Sequence, residues 1–272
     1  MTITYHTDLI QGSDEWLAAR CGILTASEMR RIFSISTSVP CGAAIKSGDP
    51  CSRSAEDGFK TCKQHRAQED TAAQHAETVK ILMDDKTRQH VYEVASQRIT
   101  RYVEPQYIGD DMLRGYADEI LAREKYSETR AEVQEVGFIT SDALGFVMGY
   151  SPDGLVGEDG LIECKSRRQK YQVQTICEGA VPDEYVLQLQ TGLLITGRKW
   201  IDFISYSGGL PMFVQRVFPD PVMQAAIVSA AVDFEARVVQ AVQSFHDNVK
   251  AHGYVETERA ADFMDIQDGE YA

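Results

Sequence analysis

The order of residue patterns along this 272-residue chain predicts an α/β fold: a small mixed β-sheet flanked by helices. Three observations carry that expectation. First, the apolar and β-branched residues on either side of Gly157-Glu158-Asp159-Gly160 read as two strands joined by a tight turn. Second, an apolar-periodic stretch from Pro182 to Thr196 predicts a helix, and it is followed by two strand-like runs, Lys199 to Tyr206 and Met212 to Phe218. Third, Asp220 before Pro221 is a helix start, with the proline at the one turn where its missing N–H costs nothing. Val222, Ala226, Val232, Val238, Val242 and Phe245 then supply the apolar residues of a long helix running to about Lys250.

Nearer the N-terminus, Ser13 caps a short amphipathic helix from Asp14 to Arg20, and Thr25-Ala-Ser27-Glu28 opens a second one running to about Phe33. A helix from about Met112 to Tyr126 contains Glu119. The 43% of apolar residues suffices for a full core. The expected organisation is a single domain over 1–253, carrying an irregular Cys- and His-containing insertion over 34–77, and an acidic tail over 254–272. That tail holds six acidic residues against Arg259 alone. No apolar run is long enough to span a bilayer, and the N-terminus has none of the segments of a signal peptide, so a soluble cytoplasmic protein with no membrane association is expected.

The residues with the most chemical content lie in the hairpin. Folding it about Glu158 sets Asp153 opposite Glu163. Opposed residues on one face have Cβ atoms roughly 4.5–5.5 Å apart, and like charges there repel unless a cation sits between them. Two hard carboxylates suit Mg²⁺, which takes one or two protein carboxylates and fills its shell with water and substrate phosphate. Strand alternation sends Lys165 to the same face as Glu163 and Cys164 into the core. A lysine there can position or deprotonate an attacking water and offset charge on a phosphorane-like transition state. An exposed ion pair on a solvated hairpin is the plainer reading of the same three residues.

Three further blocks accompany the hairpin: Gln11-Gly-Ser-Asp-Glu-Trp16-Leu-Ala-Ala-Arg20-Cys-Gly22-Ile-Leu-Thr25-Ala-Ser27, then Gly115-Tyr-Ala-Asp-Glu119, then Tyr185-Val-Leu-Gln188-Leu-Gln190. With Ser151-Pro-Asp153-Gly and Glu163-Cys-Lys165, they resemble in type and order the phage lambda exonuclease, or YqaJ-like viral recombinase, family of PD-(D/E)XK nucleases. The resemblance spans about residues 9 to 206. It implies a restriction-endonuclease-like core, metal binding by Asp153, Glu163 and Glu119 with the main-chain carbonyl of Cys164, and catalysis by Lys165. It also implies a pocket for the 5′-phosphate of a DNA end at Arg20, Ser27 and Ser151, and substrate contact by Gln188 and Gln190. Taken without the resemblance, Ser27 reads as a plain helix cap, Arg20 as a surface ion-pair partner and Glu119 as a solvated glutamate.

The net charge of −14 argues against nonspecific coating of nucleic acid. Local basic residues soften it: Lys165-Ser-Arg167-Arg168-Gln-Lys170, read as a strand guide or as an exposed loop, and Arg30-Arg31 beside the phosphate pocket. In the insertion, Cys41, Cys51, Cys62 and His65, with His75 beyond, lack the tight Cys-x2-Cys pair of common zinc modules, although Cys62-x2-His65 is half a site. Reduced cysteines in irregular chain are favoured over Zn²⁺, since disulfides are rare in the cytosol.

The expected activity is that of a Mg²⁺-dependent 5′→3′ double-strand DNA exonuclease, with Mn²⁺ able to substitute, leaving 3′ single-stranded tails for phage-type recombination. A structure- or sequence-specific endonuclease and a non-catalytic DNA-end-binding protein are the alternatives. The resemblance further implies double-stranded DNA ends as substrate, a trimeric ring, a single-strand annealing partner and, for a phage-encoded chain, the bacterial host cytoplasm.

Overall fold

A glycine at positive φ closes the central hairpin. Gly157 (φ +54°) turns the chain, and the ladder pairs Gly154 with Ile162, Leu155 with Leu161 and Val156 with Gly160. That is the register expected from sequence, and one step beyond it Asp153 faces Glu163. The computed structural model describes residues 2–56, 58–75, 78–81, 85–105 and 109–259. The acidic tail beyond Arg259 lies outside the described residues, and the six that precede it, 254–259, are irregular and exposed.

In chain order the elements are β1 (Ile3–His6), α1 (Asp14–Arg20), β2 (Leu24–Thr25), α2 (Met29–Ile32), β3 (Phe33–Ser38), β4 (Thr78–Ile81), α3 (Asp85–Thr100) and α4 (Asp110–Thr129). There follow β5 (Phe138–Ser141), β6 (Met148–Tyr150), β7 (Gly154–Val156), β8 (Gly160–Ser166), α5 (Gln169–Glu178), α6 (Asp183–Thr196), β9 (Trp200–Tyr206), β10 (Phe213–Val217) and α7 (Pro221–His252). The helix and strand expectations after residue 180 agree with these bounds to within two residues.

Instead of one small sheet there are two, each four-stranded and mixed. One has the order β10-β9-β8-β7, with β8 and β9 parallel, and the other the order β1-β5-β6-β2, with β2 and β6 parallel. The second sheet escapes a sequence reading because its strands have only two to four residues each and pair across long separations, as Ile3 does with Ser141. A third pairing, β3 with β4, brackets the insertion.

Helix α6 joins the layers, touching β5 and β6 on one side and β9 on the other. Its buried set, Leu187, Leu189, Thr191, Leu193 and Ile195 among others, wraps most of its circumference, the pattern of a helix enclosed by protein. Within the second sheet Gly149 of β6 lies under the Phe138 ring of neighbouring β5: a Cβ there would sit 2.2 Å from Cζ of Phe138, so only hydrogen is accommodated. On the far side α3 packs along α7, pinned by a two-pronged Arg98–Glu235 ion pair at 2.6 and 2.7 Å. Helix α4 covers β8 and β9, where Tyr126 donates to Asp202 (2.6 Å) and Arg216 forks onto the same carboxylate.

The second N-terminal helix is shorter and more broken than the sequence suggested. Ala26–Glu28 form a 3₁₀ turn, α2 adds one α turn, and Phe33 is already extended. Thr25 rather than Ser27 is the cap, since Glu28 Oε2 accepts from both the Thr25 N–H (2.9 Å) and its hydroxyl (2.7 Å). Among the described residues no helix is long and apolar enough to cross a membrane.

Candidate active site

Asp153 and Glu163 are buried, 7% and 1% exposed, a costly placement for two like charges unless function requires it. Asp153 leaves β6 just before β7, and its Oδ2 accepts the Cys164 N–H at 2.5 Å. This bond takes the place of a ladder partner where the hairpin pairing has ended. Glu163, in β8, receives Lys165 Nζ (2.6 Å) and Gln188 Nε2 (2.5 Å) on Oε1, and the Tyr150 hydroxyl (2.6 Å) on Oε2. Burial, then the charges of Glu163 and Glu119, push the Asp153 carboxyl well above its ordinary range. Burial works against the Lys165 ammonium, but Glu163 and Asp153 outweigh it and hold that group more firmly protonated than usual. Cys164, between them, is turned into the apolar cluster with Ile162 and Ile204, as alternation requires.

Glu119 comes from α4 and faces this cluster, so it is not a solvated surface glutamate. Its carboxyl is raised by burial and by Glu163, with Arg123 and Lys165 acting in the opposite sense. Arg123, one turn on, contacts Glu119 (3.3 Å) and donates to the Asp153 carbonyl (3.1 Å), tying α4 to the hairpin. Arg123 and Tyr150 are the two site neighbours that the sequence reading passed over. Each had a signal: Arg123 lies at i+4 from Glu119, and Tyr150 immediately precedes the Ser151-Pro-Asp153-Gly block.

A second pocket adjoins. The Arg20 guanidinium lies 4.1 Å from the Trp16 ring and bonds to the hydroxyls of Ser151 (3.2 Å) and Thr25 (3.4 Å). Burial lowers its pKa, and Glu28 opposes that shift. Trp16 Nε1 also reaches Ser151 Oγ at 3.0 Å, and Ser27 Oγ lies 3.3 Å from the Thr25 hydroxyl. Arg20, Ser27 and Ser151 thus converge, and Arg20 is not a simple surface ion-pair partner. A cleft of about 150 Å³ lined by Ser27, Arg30, Lys165, Tyr185 and Gln188 lies between Ser27 and the Lys165 ammonium.

Two expectations are corrected by placement. Gln190 does not face the site: its amide donates to the Phe218 carbonyl (2.8 Å) and accepts from the Asp220 N–H (2.8 Å), fastening α6 to the start of α7. Residues two apart on a helix point nearly opposite ways, so Gln188 and Gln190 cannot share one face. The basic run is not one exposed loop: Lys165 and Ser166 end β8, Gln169 and Lys170 begin α5, and only Arg167 and Arg168 form the connection between them. Arg167 pairs with Glu184 (2.6 Å), Arg168 pairs with Asp111 (2.9 Å), and α5 begins at Gln169.

An aspartate just before one strand, a Glu-x-Lys on the next and one more carboxylate from the covering helix share a corner of a mixed sheet, in the fold of the PD-(D/E)XK-like nucleases, enzymes that act on DNA. Comparison with known proteins carries this further. The chain belongs to the family of the YqaJ-like viral recombinase domain, whose profile matches residues 62–199. Its fold is similar to the crystal structure of an alkaline exonuclease (LHK-Exo) from Laribacter hongkongensis, at 27% identity and TM-score 0.65, covering 88% of this chain and 99% of that one. The complex of LHK-Exo with dAMP matches to the same degree. No curated protein matches the chain.

Proposed function

We propose that this chain is a DNA exonuclease of recombination that digests the 5′ strand of double-stranded ends and leaves 3′ single-stranded tails, with Mg²⁺ as its resident metal. The observation that carries the reading is the cluster of Asp153, Glu163, Glu119 and Lys165. Three acidic side chains share one corner, and the carboxyl groups of Asp153 and Glu119 are pushed upward by burial and by the neighbouring acidic charges, the electrostatic environment that a divalent cation relieves. The hard oxygen donors of Asp153, Glu163, Glu119 and the Cys164 carbonyl fit Mg²⁺. Mg²⁺, when bound, supplies a Lewis acid for the scissile phosphate and a more acidic water.

The protein's own groups do the rest. Lys165, paired with Glu163 at 2.6 Å, presents positive charge where the phosphorane gathers negative charge. Tyr150 and Gln188 fix the Glu163 carboxylate in one orientation. Arg20, backed by the Trp16 ring and flanked by Ser151, offers a fork for a terminal 5′-phosphate. The match to a protein described as an alkaline exonuclease supports an end-directed activity.

The test compares linear duplexes with and without a 5′-phosphate against closed circular DNA, each in Mg²⁺ and in EDTA. Stepwise loss of the 5′ strand from phosphorylated ends in Mg²⁺ alone is expected. Nicking of circles would overturn the end-directed reading, and cleavage undiminished by EDTA would overturn the metal.

A further inference from the structure

The insertion between β3 and β4 is not irregular chain at its centre. Residues 40–54 form a small antiparallel turn, bridged at Pro40–Ser54 and Ala44–Pro50, with Cys41 N–H donating to the Arg53 carbonyl and Cys51 N–H to the Ala43 carbonyl. In that register Cys41, Ala43 and Cys51 project from the same face. Cys62 caps a 3₁₀ turn over Lys63–Gln68, and His65 departs from helical geometry inside it (φ −111°, ψ 17°). The side chains of Cys41, Cys51, Cys62 and His65 meet there, their Sγ and ring nitrogen atoms all within 4.8 Å of one another.

We propose that these four residues form a closed, structural Zn²⁺ site. The distances suit it. A tetrahedral centre with Zn–S near 2.3 Å and Zn–N near 2.0–2.1 Å has S···N edges of about 3.5–3.6 Å. His65 Nδ1 lies 3.6 Å from Cys41 Sγ and 3.5 Å from Cys62 Sγ. The Cys62 N–H also points at Cys41 Sγ (3.3 Å), an arrangement that stabilises a thiolate from outside the metal's own shell. Three sulfurs and one imidazole are soft and borderline ligands that select Zn²⁺ over Mg²⁺, and four protein ligands leave no open position for catalysis. The three cysteines carry no disulfide.

The insertion also has a physical need for such a centre. Among the described residues its buried apolar cluster consists of Cys41, Ala43, Cys51 and Cys62, so three of the four members are the ligands themselves. A segment of this size cannot bury enough apolar surface to hold its shape alone, and a metal supplies the missing free energy. Sequence spacing concealed the site because the first three ligands are separated by nine and ten residues. Only the hairpin and the 3₁₀ turn bring them together.

The test is independent of the nuclease reading. The full chain, expressed with added zinc and desalted, is measured by inductively coupled plasma mass spectrometry, and metal release is followed with a chromogenic chelator as thiols are blocked. About one zinc per chain is expected, released as the thiols are modified. Asp153→Asn, Cys21→Ser and Cys177→Ser should keep it, which separates this centre from the carboxylate site and from the thiols of Cys21 and Cys177. Cys41→Ser, Cys51→Ser and Cys62→Ser should lose it. Since a lost ligand can also unfold the insertion, His65→Cys is the second variant: it restores four ligands and should retain zinc, with a stronger sulfur-to-metal charge-transfer band after Co²⁺ exchange. A zinc-free, folded chain from zinc-supplemented cells would overturn the proposal. So would a disulfide among Cys41, Cys51 and Cys62, or full zinc content in the triple serine variant.

Discussion

Arg20→Ala isolates the proposed grip on the DNA end. In the structure the guanidinium is held flat over Trp16 at 4.1 Å and steered by Ser151 and Thr25, so two of its N–H groups are already oriented. Its hydrogen bonds go to hydroxyls, which can turn to accept from it while it also meets an incoming phosphate. A charge-assisted contact of this kind contributes about 1.5–3 kcal/mol, equivalent to about a tenfold to hundredfold change in rate. Digestion of 5′-phosphorylated duplex should therefore fall by about that factor, while slow digestion of 5′-hydroxyl ends, which lack the gripped group, should change little. Arg20→Lys keeps a charge but loses the planar fork and the stacking, so it should recover only part of the loss. The assay measures initial rates on end-labelled linear duplexes differing only at the 5′ terminus, with circular dichroism to verify folding. Equal slowing of both ends would refute the reasoning, because the residue would then be a structural tie between α1 and the strand that precedes Asp153.

The other predictions concern the carboxylate corner and α6. Asp153→Asn keeps an acceptor for the Cys164 N–H but removes a like charge, so thermal stability in EDTA should rise by on the order of 1 kcal/mol while cleavage falls on the order of a thousandfold; a lowered melting temperature would sink the argument. Gln188→Ala should slow cleavage with little change in melting, whereas Gln190→Ala, which strands the Phe218 carbonyl and the Asp220 N–H, should cost about 1–3 kcal/mol of stability, and the reverse pattern would contradict the placement of the two residues.

Much of this protein was written locally. The register of β7 and β8 follows from the turn at Gly157 and from strand alternation, and so does the juxtaposition of Asp153, Glu163 and Lys165, since both depend on neighbours a few residues apart. The start of α7 at Asp220-Pro221 and the cap of α1 at Ser13 are equally local, because a side chain satisfies a backbone N–H two or three residues on. Even the opposed directions of Gln188 and Gln190 were available from helical periodicity alone. The tertiary structure alone decided the contacts that span the chain. Arg20 meets Ser151 across 131 residues, Arg123 reaches the Asp153 carbonyl from another element, and short strands such as β1 and β5 find partners that their own composition does not name. The insertion shows the same limit: nine- and ten-residue gaps say nothing about approach until the hairpin closes and brings Cys41, Cys51, Cys62 and His65 together. Local patterns record which backbone conformation each segment favours, whereas the closing of long loops depends on apolar surface buried elsewhere in the molecule, and no short stretch of sequence carries that information.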